Sequence, residues 1–128
     1  MAKPTKYGLA SIQKRLDDAT KLLLIAAEIE KARQARTYVA YLTIAHLTGL
    51  FSGGSPLGRL LGVLFLMDHD AGWASRTALV VHQTNGVWGE PGEGFFEMCL
   101  KCGLLAPNAS PQVRTQLWEK LRDQVWAG

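Results

Sequence analysis

The chain has 128 residues, of which 48% are hydrophobic and 20% charged, and its formal net charge at pH 7 is +3. This composition is typical of a folded globular protein and excludes the disordered class, in which low hydrophobicity accompanies high charge. The length favours a single domain, residues 1–128, because two cores of this total size would each be marginal. The longest apolar stretch, Leu57 to Met67, is shorter than the ~20 residues of a membrane span.

The N-terminal residues and the cysteines predict a cytoplasmic protein. The basic start leads into an amphipathic segment and lacks the apolar region and cleavage site of a signal peptide. Cys99 and Cys102 are too few and too close to form a disulfide framework, so we expect reduced, buried thiols. Zinc would need further ligands, and the histidines are scattered singly at His46, His69 and His82, so we predict no metal and no cofactor.

The first elements in the chain are predicted to be helices. Apolar residues recur every three or four positions from Ser11 to Arg36, in one series through Ile12, Leu16 and Leu23 and in a second through Leu22, Ile25 and Ile29. Thr37 is expected to cap a helix over residues 38–48 that ends at Gly49, and residues 50–54 to form a turn. A third helix is predicted from Pro56 to about Asp70, ending before Gly72. It is apolar on nearly every side and should form the centre of the core.

The second half of the chain predicts a β-hairpin followed by two helices. Residues 77–82 are rich in β-branched types, and Asn85-Gly86 followed by Val87-Trp88 is a strong hairpin signal. In the loop over residues 89–94, turns are expected to require positive φ near Gly92 and Gly94. A short helix over residues 95–101 should end at Gly103, and Ser110-Pro111 should begin a last helix reaching about Trp126.

These elements predict a mainly α (α+β) fold with a helix-turn-helix-like core, a β-hairpin wing and flanking N- and C-terminal helices. Thr37-Tyr38, Arg59-Leu60-Leu61-Gly62 and Val80-Val81-His82 together resemble the winged-helix DNA-binding domain of alkyltransferase-like proteins. The resemblance covers about residues 37–90, between a basic N-terminal arm over residues 1–36 and C-terminal helices over residues 91–128. It implies that Tyr38 and Arg59 address DNA, with the arginine helping to extrude a base.

The chain departs from that family where alkyl transfer takes place. Leu79-Val80-Val81-His82 stands where the family has the alkyl-accepting Pro-Cys-His-Arg segment, so this chemistry is excluded. Arg59 is the only cation between Thr37 and Ala71, whereas phosphate contacts normally need several. Further cations would have to come from the arm, where residues 1–36 carry eight Lys and Arg against four acids. The candidates there are Lys14, Arg15, Lys21 and Arg33, although a solvated helix face explains the same pattern.

No catalytic constellation is recognisable in the sequence, so we predict that the protein is not an enzyme. Neighbouring residues on a helix point in different directions, and Asp68-His69-Asp70 cannot converge on one atom. We therefore read this segment as a solvated helix end. Gly53-Gly54-Ser55-Pro56 lacks the lysine and the spacing of a phosphate-binding loop.

Two binding functions remain open. The first is a module that binds nucleic acid or a protein complex that handles it. The second is a protein-protein adaptor or inhibitor, for example one borne by a phage or plasmid, that uses exposed tryptophans. The candidates are Trp88 in a glycine-bounded turn, and Trp118 and Trp126 on the last helix. Neither interpretation requires a membrane, and both leave a homodimer open.

Overall fold

Five α-helices make up most of the chain in this computed structural model, which describes residues 8–50 and 55–128. They are α1 (Leu9–Gln34), α2 (Tyr41–Thr48), α3 (Ser55–Ala71), α4 (Glu93–Lys101) and α5 (Pro111–Ala127). Between them lie a 3₁₀ turn (Arg76–Leu79) and four strands, β1 (Val39–Ala40), β2 (Val80–Val81), β3 (Gln83–Thr84) and β4 (Val87–Trp88). The prediction of a mainly helical protein with a small β component is confirmed. Residues 51–54 of the predicted turn and residues 1–7 of the predicted arm lie outside the described residues.

The helices end where the sequence places their stop signals. Gly49, Gly72 and Gly103 follow α2, α3 and α4, and all three have φ between +72° and +76°. Glycine adopts this left-handed conformation without the steric cost that a Cβ imposes. At the start of α5 the Ser110 hydroxyl accepts a hydrogen bond from the Val113 N–H at 3.2 Å, as an N-cap residue should.

The predicted start of α2 is wrong by three residues. Val39 and Ala40 are extended and buried, and they pair in parallel with Val80 and Val81 to form a two-stranded sheet. The helix therefore begins at Tyr41, and no side chain caps it. Local capping signals favour a helix at these residues. Pairing with a buried strand satisfies their backbone N–H and C=O groups instead.

The predicted strand over residues 77–82 is only partly present. Residues Arg76 to Leu79 form the 3₁₀ turn instead, and only Val80 and Val81 continue as β2. The carboxylate of Asp68 accepts a hydrogen bond from the Arg76 backbone N–H at 2.9 Å, which fixes the first residue of this turn. A contact made across the fold thus overrides the β-propensity of the segment.

The hairpin turn at Asn85-Gly86 is confirmed, whereas the conformation expected in the following loop is not. Asn85 and Gly86 both have positive φ, as a two-residue turn of type I′ requires, and they join β3 to β4. Gly92 has a φ of −74°, and Gly94 lies within α4. Positive φ is therefore not the reason for glycine at either position.

Two adjoining clusters of buried side chains form the core. The first joins the C-terminal half of α1 to α2, α3 and the β1–β2 sheet, and the second joins Phe65 to α4 and α5. Tyr38 packs against both clusters. The prediction that α3 forms the centre of the core is confirmed for one side of the helix only, because Val63, Leu66 and Met67 on the other side are exposed. Among the described residues, no helix is long and apolar enough to cross a membrane.

Candidate functional site

Helix α1 extends well beyond the core. Its three buried residues, Ile25, Ile29 and Ala32, all lie in its C-terminal half. The sequence prediction used the name arm for residues 1–36; from here on it means only the N-terminal part of α1, residues 9–24. The arm carries four large apolar side chains that are 83%, 52%, 57% and 72% exposed, namely Leu9, Ile12, Leu16 and Leu23. With Ala19, which is also exposed, they form a row that we call the outer stripe.

The outer stripe has the spacing of a helix-packing seam. Its members are separated by three, four, three and four residues, which is the heptad pattern of positions that meet a second helix. At 100° per residue, the stripe points about 150° away from the direction of the buried residues of α1. It therefore faces away from the core, and within the described residues no core cluster includes its four large side chains.

The opposite side of the arm contacts α3 through charged groups. Arg59 donates hydrogen bonds to both carboxylate oxygens of Asp18, at 3.2 and 3.4 Å. This hydrogen bonding, together with the positive charges of Arg59, Lys14 and Lys21, holds the pKa of Asp18 below its ordinary value. Arg59, Lys14 and Lys21 therefore lie on one face around Asp18, an arrangement that the sequence alone left undecided.

The two other basic residues predicted to contact nucleic acid, Arg15 and Arg33, lie in different surroundings. Arg15 is exposed on the same half of α1. Arg33 lies about 18 Å further along the helix from Lys21, given the rise of 1.5 Å per residue. Its guanidinium bonds to the carboxylate of Glu30 at 2.6 and 2.8 Å and to the Gly128 carbonyl oxygen at 2.5 Å. Arg33 thus ties the end of α1 to the C-terminus of the chain.

Tyr38 belongs to an aromatic cluster rather than to the Arg59 face. Its ring lies 5.7 Å from that of Trp88, 6.1 Å from that of Trp118 and 5.2 Å from that of Trp126, measured between centroids. Its hydroxyl accepts a hydrogen bond from Arg122 at 3.1 Å. The described contacts of Tyr38 therefore serve packing between β1, the hairpin and α5.

The tryptophans differ in exposure from what the sequence suggested. The prediction of an exposed Trp118 is wrong, because this side chain is 7% exposed and its indole N–H donates to the Ala78 carbonyl oxygen at 2.9 Å. Trp126 is half-buried and donates to the Thr37 carbonyl oxygen, while Trp88 keeps part of its ring exposed. Trp73, which was not among the predicted candidates, is 66% exposed beside the Arg76 guanidinium. The position of Trp73 just after Gly72, beyond a helix end, is a signal that favours exposure.

The remaining polar motifs serve structure. Asp68 is fully buried and bonded to Arg76, so the reading of this segment as a solvated helix end is wrong for that residue. Burial raises the pKa of the Cys99 thiol to about 12, while Cys102 is half-buried at the end of α4. Within residues 8–50 and 55–128, no group of three or more His, Cys, Asp or Glu side chains is placed to hold a metal ion.

Comparison with known proteins adds no relative to this picture. No family model, no curated protein and no solved structure matches the chain. The resemblance of residues 37–90 to alkyltransferase-like proteins is therefore supported by its short motifs alone.

Proposed function

We propose that this protein is a non-enzymatic binding module that works through protein contacts made by the arm. The observation that carries the proposal is the outer stripe, in which four large apolar side chains at heptad spacing remain more than half exposed. Full burial of each such side chain stabilises a complex by about 1.5–3 kcal/mol. The four on each partner are 52–83% exposed, so burial of their remaining surface contributes a free energy of the same order as an association cost of about 4–15 kcal/mol.

A second copy of the chain is the partner that fits this stripe. In an antiparallel pair, Leu16 meets Ala19 of the second copy and Leu9 meets its Ala26, so large side chains face small ones. Ile12 meets Leu23 in the remaining layer. Because the layers are symmetric, one two-fold axis produces them all, as in most homodimers.

The charges beside the stripe are compatible with this register. The flanking positions would bring Gln13 against Thr20 of the second copy and Arg15 against its Leu22. No two cations or two carboxylates face each other in these flanks, so the pairing escapes like-charge repulsion. A parallel pair would instead place Ala19 against Ala19 and fill the centre of the seam less well.

Measurement of molar mass in solution tests the proposal. We expect the wild type to be dimeric at micromolar concentrations and Leu16→Glu to be monomeric with unchanged helicity. Val113→Glu is the matched control, since Val113 is a comparably exposed apolar residue on α5 and its substitution should leave the dimer intact. A wild type that stays monomeric at hundreds of micromolar would contradict self-pairing and point to a helix of another protein as the occupant.

Nucleic-acid binding is a second candidate, and the shared face of Lys14, Lys21 and Arg59 supports it. In this version α3 would act as the recognition helix of a winged-helix arrangement, with the β3–β4 hairpin as its wing. Asp18 neutralises part of this face, so the patch is weaker than its cations alone suggest. We therefore propose protein contacts as the first candidate function.

Salt dependence separates the two candidates. If the three cations neutralise phosphates, the logarithm of DNA affinity should fall with the logarithm of salt concentration with a slope of about −3. A Lys14→Glu, Lys21→Glu variant should lose that binding, whereas Lys101→Glu on α4 should keep it. Absence of salt-sensitive DNA association would contradict the nucleic-acid function and leave the dimer measurement unaffected.

A further inference from the structure

A cavity of about 300 Å³ lies between α3, the start of α4 and the loop that follows the hairpin. Its walls are mostly apolar, with Leu61, Phe65 and Met98 among the lining side chains. A cavity of this volume with a few polar groups is typical of a small-molecule site. None of the residues that line this cavity belongs to the outer stripe.

Glycines leave one wall of this cavity bare. Gly58 and Gly62 lie one turn apart inside α3, where each costs up to about 1 kcal/mol of helix stability relative to alanine. Among the described residues, a Cβ at Gly58 would meet nothing within 4 Å, and one at Gly62 would meet only the Met98 sulfur at an ordinary 3.7 Å. Neither glycine is needed for a close approach or a positive φ, so what they provide is open space.

Two of the residues that line the cavity carry a hydroxyl group. Thr77 is 5% exposed, and its hydroxyl oxygen has no hydrogen-bond partner among the residues that the structure describes. Buried hydroxyls are nearly always paired, so this one is suited to a group that enters the cavity. Tyr41 also lines the wall, and its oxygen accepts the Gly92 N–H at 2.9 Å, which leaves its own proton to be donated.

We infer that this cavity binds a small neutral aromatic molecule that carries one oxygen acceptor, such as an aryl alcohol or ketone. A cavity of about 150 Å³ holds a benzene ring, so one of twice that volume accommodates a bicyclic ring. The Thr77 and Tyr41 hydroxyls both donate to the ligand oxygen. Glu93 also lines the cavity, and its carboxylate is paired with Arg114 through a hydrogen bond of 2.7 Å, so this pair supplies no net positive charge to hold an anionic ligand.

Titration of the full chain with 2-naphthol and naphthalene, followed by NMR shifts of cavity-lining methyl groups, tests this inference. We expect 2-naphthol to bind at least tenfold more tightly than naphthalene. Thr77→Val and Tyr41→Phe each remove one donor and keep the side-chain shape, so the double variant should remove that difference and retain naphthalene binding. Gly58→Leu should block both probes, whereas Ala71→Leu, which places the same side chain at an exposed position on the same helix, should block neither.

Three results would overturn the inference. The first is the absence of shifts in the cavity-lining groups at saturating 2-naphthol, which would mean that the cavity holds only water. The second is equal affinity for the two probes in the wild type. The third is a tenfold preference that persists in the double variant Thr77→Val, Tyr41→Phe. Binding to the Leu16→Glu variant should match that of the wild type, so the outcome does not depend on the proposed dimer.

Discussion

Asp68 and Arg76 are joined by hydrogen bonds at both the backbone and the side chain of the arginine. The carboxylate of Asp68 accepts the Arg76 backbone N–H at 2.9 Å and its guanidinium at 2.7 to 3.1 Å. The carboxylate is fully buried, whereas the guanidinium is 26% exposed. This pair joins the end of α3 to the 3₁₀ turn that precedes β2.

Removal of the charge at Asp68 should destabilise the protein strongly. Asp68→Asn keeps the side-chain shape but leaves the largely buried guanidinium without its anion, which typically costs about 3–5 kcal/mol. Urea denaturation measures the change in the free energy of unfolding. Asp70→Asn on the exposed side of the same helix is the control and should change stability by less than about 0.5 kcal/mol. Equal stabilities of the two variants would contradict the structural role of the pair.

Replacement of Trp118 by phenylalanine should destabilise the protein, whereas the same replacement of Trp73 should not. Trp118→Phe leaves the Ala78 carbonyl oxygen without its indole donor, and an unsatisfied buried group costs about 1–3 kcal/mol. Trp73→Phe changes an exposed side chain and should be nearly neutral. In acrylamide quenching, the Trp73→Phe variant should lose the most accessible part of the fluorescence. If Trp118→Phe removed that part instead, the burial assigned to the two residues would be wrong.

Cys99 should be nearly inert toward thiol reagents in the folded protein. Burial, and secondarily the neighbouring Cys102, raises its pKa to about 12, so about one thiol in 10,000 is ionised at pH 8. Reaction with a chromogenic disulfide should therefore show a faster thiol, Cys102, and one that reacts only on unfolding. In Cys102→Ser the faster phase should disappear. Its survival there would mean that Cys99 is accessible.

Signals within a few residues of one another predicted much of the fold. The ends of α2, α3 and α4 rest on glycines that adopt positive φ, and the hairpin turn rests on Asn85-Gly86. The β1–β2 pairing joins residues 41 positions apart, with Val39 opposite Val80, and two-residue strands have too few positions to show a period. Likewise, the 3₁₀ turn depends on the carboxylate of Asp68, which local propensity does not register.

The candidate sites were predictable only in part. Two apolar series on α1 are visible in the sequence, but nothing local says that Ile25 and Ile29 are buried while Leu16 and Leu23 remain exposed. That choice depends on where α3 packs. The cavity was not predictable either, because the sequence places Thr77 in a predicted strand and Gly58 inside a predicted helix. The roles of both residues depend on packing against elements that are distant in sequence.

The contact between the arm and α3 should be visible in the titration of Asp18. Hydrogen bonds from Arg59, and then the charges of Arg59, Lys14 and Lys21, lower the pKa of this carboxyl from its ordinary 3.8. Because the folded-state pKa is depressed, the contact contributes stability above the ordinary pKa and loses it as the pH falls through the folded-state value. Arg59→Gln should raise the Asp18 pKa toward 3.8, as measured by NMR of the side-chain carboxyl carbon. Lys31→Gln, which removes a cation paired with Glu28 further along the same helix, should leave it unchanged. An Asp18 pKa that is already ordinary in the wild type would show that the arm does not rest on Arg59 in solution.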